Sequence, residues 1–289
     1  AFRDGVRVRH RVRMRAKAFL QADWAPGVEN ILATGPGLWV GKYVGVAKDN
    51  GFDAVPVVAT RETVLAAVKA GVHVGAVRVD FFAREVAMRS SLIVGHDPTR
   101  ETLLTLENDP QAVNELDRAD FDDWFLFAIV PKGGARPEVF SEAAYADGRI
   151  LDEAAGLFWK NDWPGRQGRL AQMTGAGKGA PPALLLSANA SARSQKLDEA
   201  LGFATRLAST SQGALAEMAR VARMDALLEL KRRDEAVAQA KAVLERAPRH
   251  GIRAEDLNRV GLILKQTTLH HLAIRAFEKA REQDRTNEM

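Results

Sequence analysis

The sequence of 289 residues contains no cysteine, which excludes several kinds of chemistry at once. Disulfides, thiolate zinc sites, iron–sulfur clusters and cysteine nucleophiles all need that side chain. Long apolar runs are also missing, since no stretch approaches the roughly 18–20 residues that a membrane-spanning helix needs. The composition is 46% hydrophobic and 27% charged, which is typical of a folded protein and leaves room for two domains.

Motifs that carry chemistry are sparse. The six histidines include no His-x-x-x-His pair that would place two of them on one helical face. No helix of the C-terminal part carries a buried-looking acid–base pair, and the sequence shows no catalytic constellation. We therefore predict no cofactor, no metal site and no catalytic residue, and a non-enzymatic role is favoured.

Positive charge is concentrated at the N-terminus. Residues 1–17 hold seven Lys and Arg against a single acid, Asp4, whereas the net charge of the whole chain is +4. Every odd position from 7 to 17 is basic, and this period of two predicts a strand with one basic face. Its candidate anion-binding residues are Arg7, Arg9, Arg11, Arg13 and Arg15. A solvated edge strand, kept from aggregating by its charge, is the alternative.

The spacing Arg9-x-x-x-Arg13 resembles the paired-arginine opening of PilZ domains, the cyclic-di-GMP receptors. The second PilZ motif would fall at Asn30-Ile31-Leu32-Ala33-Thr34-Gly35, where Leu32 replaces the usual serine. The resemblance implies a phosphate- or nucleotide-binding regulator or enzyme. A nucleic-acid-associated subunit of a large complex is a further alternative, because a basic strand can neutralise phosphates.

Residues 29–137 alternate between apolar runs and helical stretches. Helices are expected at 38–51, at 61–71 with Thr60 as its N-cap, and after Pro98. This alternation predicts crossover connections and a mainly parallel sheet. Strands are predicted at 29–35, 53–60, 72–82, 90–97 and 124–132.

The order and length of these elements resemble the receiver domain of two-component signalling proteins. Asp80, near the end of the third predicted strand, stands where receivers carry their phospho-accepting aspartate, and Lys132 stands near the position of their conserved lysine. The acidic pair that holds magnesium in receivers is replaced by Ala33-Thr34-Gly35. The resemblance therefore implies a degenerate receiver that serves as a binding platform in signal transduction; another α/β sandwich is the alternative.

The remaining residues lack strand signals after Ala192. Residues 138–172 predict two helices, and TGAGKGAPP at 174–182 predicts a linker because it is rich in Gly and Pro. Further helices are predicted near 194–209, 213–231, 234–247, 254–266 and 269–284.

Two of these helical hairpins resemble tetratricopeptide (TPR) repeats. Ala236 and Ala273 share an offset of 37 residues, as do Ala240 and Phe277. Other residues near pattern positions are Leu227, Leu230, Leu244, Pro248, Gly261, Leu264 and Ala280. The resemblance implies a partner-binding groove, and the candidate residues to line it for acidic tails are Arg253, Arg259, Lys265 and Arg275. An ordinary helical bundle is the alternative.

Taken together, the sequence predicts an α/β domain with a parallel, receiver-like sheet followed by an all-α, TPR-like domain. The predicted segments are a basic strand at 1–28, the α/β domain at 29–137, a helical connector and linker at 138–193, and the helical domain at 194–289. The predicted function is a cytoplasmic adaptor in signalling or complex assembly, which binds a protein through its helical repeats. Because the first residue is Ala1 rather than Met, a removed targeting segment is an open alternative.

Overall fold

A computed structural model gives the fold of the chain, which divides into two units, Ala1–Ala180 and Pro181–Met289. The residues that it describes are 51–79, 88–97, 99, 102–106, 113–116, 121, 124–246, 252 and 254–287. Several predictions lie outside these residues: the strand at 29–35, the helix at 38–51 except for its last residue, Asp80, Arg253, and the basic strand with Arg7, Arg9, Arg11, Arg13 and Arg15.

The first unit is built on a six-stranded sheet with the order β1-β6-β2-β3-β4-β5. Every neighbouring pair is antiparallel, so β1 and β2 run in the same direction with β6 between them. The strands are β1 (Phe52–Val57), β2 (His73–Val79), β3 (Met88–Asp97), β4 (Thr102–Leu106), β5 (Val113–Leu116) and β6 (Trp124–Pro131).

The prediction of a parallel, receiver-like sheet is wrong. The segment after Pro98, predicted as a helix, contains β4, which pairs back on β3 as a hairpin. Asp97 supports this turn, because its Oδ1 accepts a hydrogen bond from the backbone N of Thr99 at 2.8 Å. The chain therefore reverses where a receiver would continue into a crossover helix.

The crossover between β1 and β2 is the helix that the sequence predicts, α1 (Arg61–Lys69). The Thr60 hydroxyl caps it by accepting a hydrogen bond from the backbone N of Thr63 at 3.3 Å. Val64 and Ala67 of α1 are fully buried and belong to the core on one face of the sheet. That core also contains alternate residues along the strands, among them Val57, Val74, Ala76, Ile93, Leu126, Ala128 and Val130.

Strand β6 is buried on both faces. Leu126 and Ala128 belong to the core under α1, whereas Phe125 and Phe127 alternate with them and are also buried. Gly75 pairs with Phe127 across the β2–β6 ladder, and a Cβ at Gly75 would overlap the Phe127 ring. The glycine therefore provides the space that the aromatic ring fills.

Three further helices complete the first unit: α2 (Glu142–Trp159), α3 (Trp163–Leu170) and α4 (Gly175–Gly179). Helix α2 approaches β1 so closely that a Cβ at Gly148 would clash with the backbone of Pro56 and Val57. Asp147, also on α2, is buried and accepts hydrogen bonds from the backbone N and the hydroxyl of Thr174, at 2.8 and 2.5 Å. The segment predicted as a linker therefore contains a short helix that is attached to α2.

The second unit is entirely helical in its described residues. Its helices are α5 (Pro181–Arg193), α6 (Leu197–Thr210), α7 (Gly213–Glu229), α8 (Arg233–Arg246), α9 (Ala254–Gln266) and α10 (His270–Asn287). They form three helix pairs, α5–α6, α7–α8 and α9–α10. The same turn joins each pair: Gln195, Lys231 and Thr268 have φ values of 58°, 65° and 63°. These turns recur after 36 and then 37 residues.

Packing within the pairs follows the same register. Ala200, Ala236 and Ala273 occupy equivalent buried positions on the second helix of each pair. On the first helices, Leu227 and Leu264 are equivalent and fully buried. The prediction of an all-α, TPR-like region is therefore confirmed, and α5 adds a helix pair that the sequence did not reveal.

The second and third helix pairs differ in which helix carries the large side chain at one equivalent position. Met224 and Ala240 occupy it in the second pair, whereas Gly261 and Phe277 occupy it in the third. A Cβ at Gly261 would lie only 2.6 Å from Cε1 of Phe277, so the large side chain has moved from one helix to the other. In the described part of the chain, no helix combines the length and apolar character needed to cross a membrane.

Candidate partner-binding face

Helix α9 has one buried face and one exposed face. Leu257, Val260, Ile263 and Leu264 are almost completely buried in the core of the second unit. The exposed side chains lie three or four residues apart, on one face of the helix. We name this surface the α9 face; its residues are Asn258, Arg259, Leu262, Lys265 and Gln266. Leu262 is 44% exposed, and the other residues of the α9 face are polar.

An ion pair links the α9 face to the preceding helix pair. Nε of Arg259 donates a hydrogen bond to Oδ1 of Asp225 on α7 at 2.7 Å. The two side chains are 46% and 36% exposed. Among the described residues, Asp225 is the sole hydrogen-bond partner of Arg259. The pair therefore lies at the surface, where water and other molecules can reach it.

The surroundings of Asp225 are acidic. Burial raises the pKa of Asp225, the charge and hydrogen bond of Arg259 lower it, and the negative charges of Glu229 and Asp256 raise it further, for a net increase. Positive charge on α9 thus meets negative charge on α7. The surface around the Arg259–Asp225 pair therefore carries charges of both signs.

Three of the four predicted groove residues lie among the described residues. Arg259 and Lys265 share the α9 face, whereas Arg275 is exposed on α10 next to Ile274, which is 57% exposed. Arg253 lies outside the described residues. Asp225 and Leu262 were not predicted as site residues, although they are 37 residues apart and so occupy equivalent repeat positions. This offset is the signal in the sequence that relates the two residues.

A second cluster of charges joins three helices of the same unit. Glu217 on α7 is 1% exposed, and its Oε1 accepts hydrogen bonds from Arg220 and, at 3.2 Å, from Nε of Arg246 on α8. Nη2 of Arg220 also donates to the backbone O of Ala208 on α6 at 3.5 Å. The equivalent positions of the other two pairs are apolar, namely Pro181 and Ala254 for Glu217, and Leu184 and Leu257 for Arg220. Oε1 of the buried Glu217 carboxylate therefore connects α7 to α8, and Arg220 connects both to α6.

In the first unit, Lys132 is the member of the predicted receiver site that the structure describes. Lys132 is exposed in the turn after β6, where its backbone N donates to the O of Gly51 at 3.0 Å. Asp80 lies outside the described residues, so a site formed by Asp80 and Lys132 remains a prediction.

The described residues of the first unit contain one strongly perturbed cation. Arg166 on α3 is completely buried, and burial lowers its pKa to about 9. Its guanidinium carbon lies 5.8 Å from the centroid of the Trp163 ring. Among the residues that the structure describes, no three His, Asp or Glu side chains are arranged to hold a metal ion.

Comparison with known proteins gives a limited set of similarities. No protein-family model matches the chain, and no curated protein matches it significantly. Among solved structures, it is similar to MamA MSR-1, with 19% identity and a TM-score of 0.39, over 52% of this chain and 83% of the other. It is also similar to MamA AMB-1, with 20% identity and a TM-score of 0.38, over 51% of this chain and 78% of the other. The function of this chain has to be argued from its own residues.

Proposed function

We propose that this chain is a non-enzymatic protein-interaction adaptor, and that its helical unit binds a segment of a partner protein at the α9 face. The observation that carries the proposal is the exposure of Leu262 on a surface of repeated helix pairs. A single exposed leucine is ordinary on a protein surface, but here two cations and two amides surround it on the same helical face. That combination provides an apolar contact and hydrogen-bonding groups on one rigid element.

The energetics support such an interaction. Completing the burial of a leucine that is half-exposed contributes on the order of 1 kcal/mol. Lys265 and the guanidinium of Arg259 can add charge-assisted hydrogen bonds to a partner carboxylate. The helices that present these groups are already packed in the free protein, so little ordering of the chain opposes binding.

A pair of matched variants of the full chain tests this function. Leu262→Asp and Ile274→Asp each place a carboxylate at an exposed apolar position, but on different helices. A photo-reactive amino acid at position 266 crosslinks partners in cells, and the crosslinked products are identified by mass spectrometry. We expect Leu262→Asp to lower the yield about tenfold and Ile274→Asp to change it less than about twofold.

Both variants must keep the circular dichroism spectrum and melting temperature of the wild type for the comparison to count. Equal yields from all three proteins would contradict the proposal, and so would equal losses from both variants. Absence of any crosslinked partner in the wild type would contradict it as well.

We also propose that the basic strand binds an anionic ligand through Arg7, Arg9, Arg11, Arg13 and Arg15. The support is the sequence alone, since these cations alternate along 1–17 with only Asp4 to oppose them. Calorimetry with nucleotides and cyclic dinucleotides at low salt should give measurable heat, and absence of heat with each of them contradicts a nucleotide ligand. If the ligand is a nucleic acid instead, binding should depend steeply on salt, and serine at the odd positions should abolish that dependence. The segment limits predicted at residues 28, 137 and 193 are a separate prediction.

A further inference from the structure

The α9 face already binds one carboxylate, and that carboxylate belongs to the chain itself. Asp225 receives a hydrogen bond from Nε of Arg259 at 2.7 Å. A guanidinium carries five N–H donors, and in the described residues only the Nε donor is used. The other four are on the two terminal nitrogens, which a second carboxylate could approach in the two-point geometry that arginine favours.

The ion pair between Asp225 and Arg259 is weak. Glu229 on the same helix and Asp256 on α9 add negative charge near Asp225, and both oppose its ionised form. The side chains of the pair are exposed to water over a third or more of their surface. Ion pairs exposed to this degree contribute little to stability, so loss of the pair itself opposes an external carboxylate only weakly.

The rest of the α9 face defines what such a carboxylate would be attached to. Lys265 lies six residues after Arg259, about 9 Å along the helix axis, and Leu262 lies between them. Within the described residues, Lys265 has no ion pair. Charge and shape therefore fit a segment that presents an apolar side chain between two acidic ones.

We propose that Asp225 is an internal competitor for this surface: an acidic segment of a partner protein binds the α9 face by displacing the Asp225 carboxylate from Arg259. This inference rests on the proposed function, because it uses the same face. It adds a residue of this chain, Asp225, that sets the affinity for an acidic partner. Neutralising Asp225 strengthens binding, whereas neutralising an ordinary residue of a binding surface weakens it or has no effect.

The test uses the full chain and a short fluorescent peptide with one leucine between two glutamates. A second peptide with glutamines in place of the glutamates is the ligand control. Fluorescence anisotropy at low salt gives the dissociation constants. We expect Asp225→Asn to bind the glutamate peptide about two- to fivefold more tightly than the wild type, and the glutamine peptide equally.

Two protein controls separate displacement from a general change of charge. Glu229→Gln removes the same charge one turn away on the same helix, and we expect a change below about twofold. In the background of Arg259→Gln, the substitution Asp225→Asn should bring no gain. If Asp225→Asn does not keep the wild-type melting profile, Asp225→Ser replaces it with the same expectation.

Three outcomes overturn the inference: no gain from either Asp225 variant, an equal gain from Glu229→Gln, or a gain that survives without Arg259. Absence of glutamate-peptide binding in every variant also overturns it, because the acidic class of partner is then wrong. The proposed function is judged separately by the crosslinking yield of Leu262→Asp. A normal result there, together with failure here, leaves the face as a binding site for a partner of different chemistry.

Discussion

The sheet unit and the helical unit use glycine in different ways. In the sheet unit, Gly148 lets α2 lie directly on the backbone of Pro56 and Val57, which cannot move aside. In the helical unit, Gly261 makes room for the ring of Phe277, and another helix pair solves the same contact with Met224 and Ala240. Gly148 faces backbone atoms, which cannot change with the sequence. Gly261 faces a side chain, which another residue can replace. The helical unit should therefore tolerate compensated substitutions that the sheet unit does not.

The largest expected effect is that of Gly148→Ala. The new Cβ meets backbone atoms, so we expect it to destabilise the first unit by about 3 kcal/mol. All five tryptophans precede residue 181, so tryptophan fluorescence during urea denaturation reports this unit alone. Gly168→Ala on α3 is the matched control, because a Cβ there contacts nothing within 4 Å, and it should stabilise by up to about 1 kcal/mol. Equal stability of the two variants would contradict the proposed backbone contact.

The next effect concerns the buried charges of the helical unit. Glu217→Ala leaves Arg220 and Arg246 without their shared acceptor, and we expect a loss of about 2–3 kcal/mol. Adding Arg220→Leu restores the apolar residues found at equivalent positions of the third pair, so the double variant should recover about half of that loss. Urea denaturation followed by circular dichroism measures both, and additive losses would show that the helix pairs are not interchangeable here.

The different placement of the large side chain in the second and third helix pairs predicts a smaller loss of stability, which a second substitution should reverse. Gly261→Met should destabilise the helical unit by about 2 kcal/mol, because its side chain overlaps Phe277. With Phe277→Ala added, the third pair has the residues of the second, and stability should return to within about 1 kcal/mol of the wild type. A double-mutant cycle from thermal melts tests the compensation, which fails if the two single losses simply add.

The smallest effect is on the pH dependence of stability. The folded state raises the pKa of Asp225, so it keeps a proton at pH values where the unfolded chain has lost it. The contribution of Asp225 to stability therefore falls as pH rises from about 4, the ordinary value, through the raised pKa. Relative to the wild type, Asp225→Asn should gain stability over this interval, by less than about 1 kcal/mol because the side chain is partly exposed. Melting temperatures of both proteins measured between about pH 4 and pH 7 check the sign, and a constant difference contradicts it.

Local signals in the sequence predicted the elements better than their arrangement. Thr60 and Gly71 mark the ends of α1 because capping depends on a few neighbouring residues. The direction of the strands was not accessible in this way, since alternation along β2 and β6 shows which residues face the core but not which strand lies beside which. The segment TLLTL in β4 has an apolar pattern too short to distinguish a strand from a helix, and Asp97 decided the matter by forming a turn.

The candidate site could also be predicted only in part from the sequence. The 37-residue spacing of Ala236 and Ala273 predicted the helix pairs, because a repeated contact imposes a repeated residue. Helix α5 was missed because its core residues, such as Leu184, Leu185 and Leu186, form a continuous apolar run without helical periodicity. Charge alone suggested Arg259 and Lys265 as binding residues. The opposing Asp225 was not predicted, although the 37-residue offset makes it equivalent to Leu262, and the fold shows its hydrogen bond with Arg259.

The strand order also constrains how the chain can fold during synthesis. In the described sheet, β1 pairs with β6 alone, and β6 begins only at Trp124. The backbone of β1 therefore lacks its strand partner until four other strands have been synthesised, which favours engagement by chaperones. Each helix pair, in contrast, closes between neighbours in sequence as soon as it leaves the ribosome. A stall before residue 124 should thus leave an aggregation-prone fragment, whereas a stall after α6 or α8 should leave whole helix pairs.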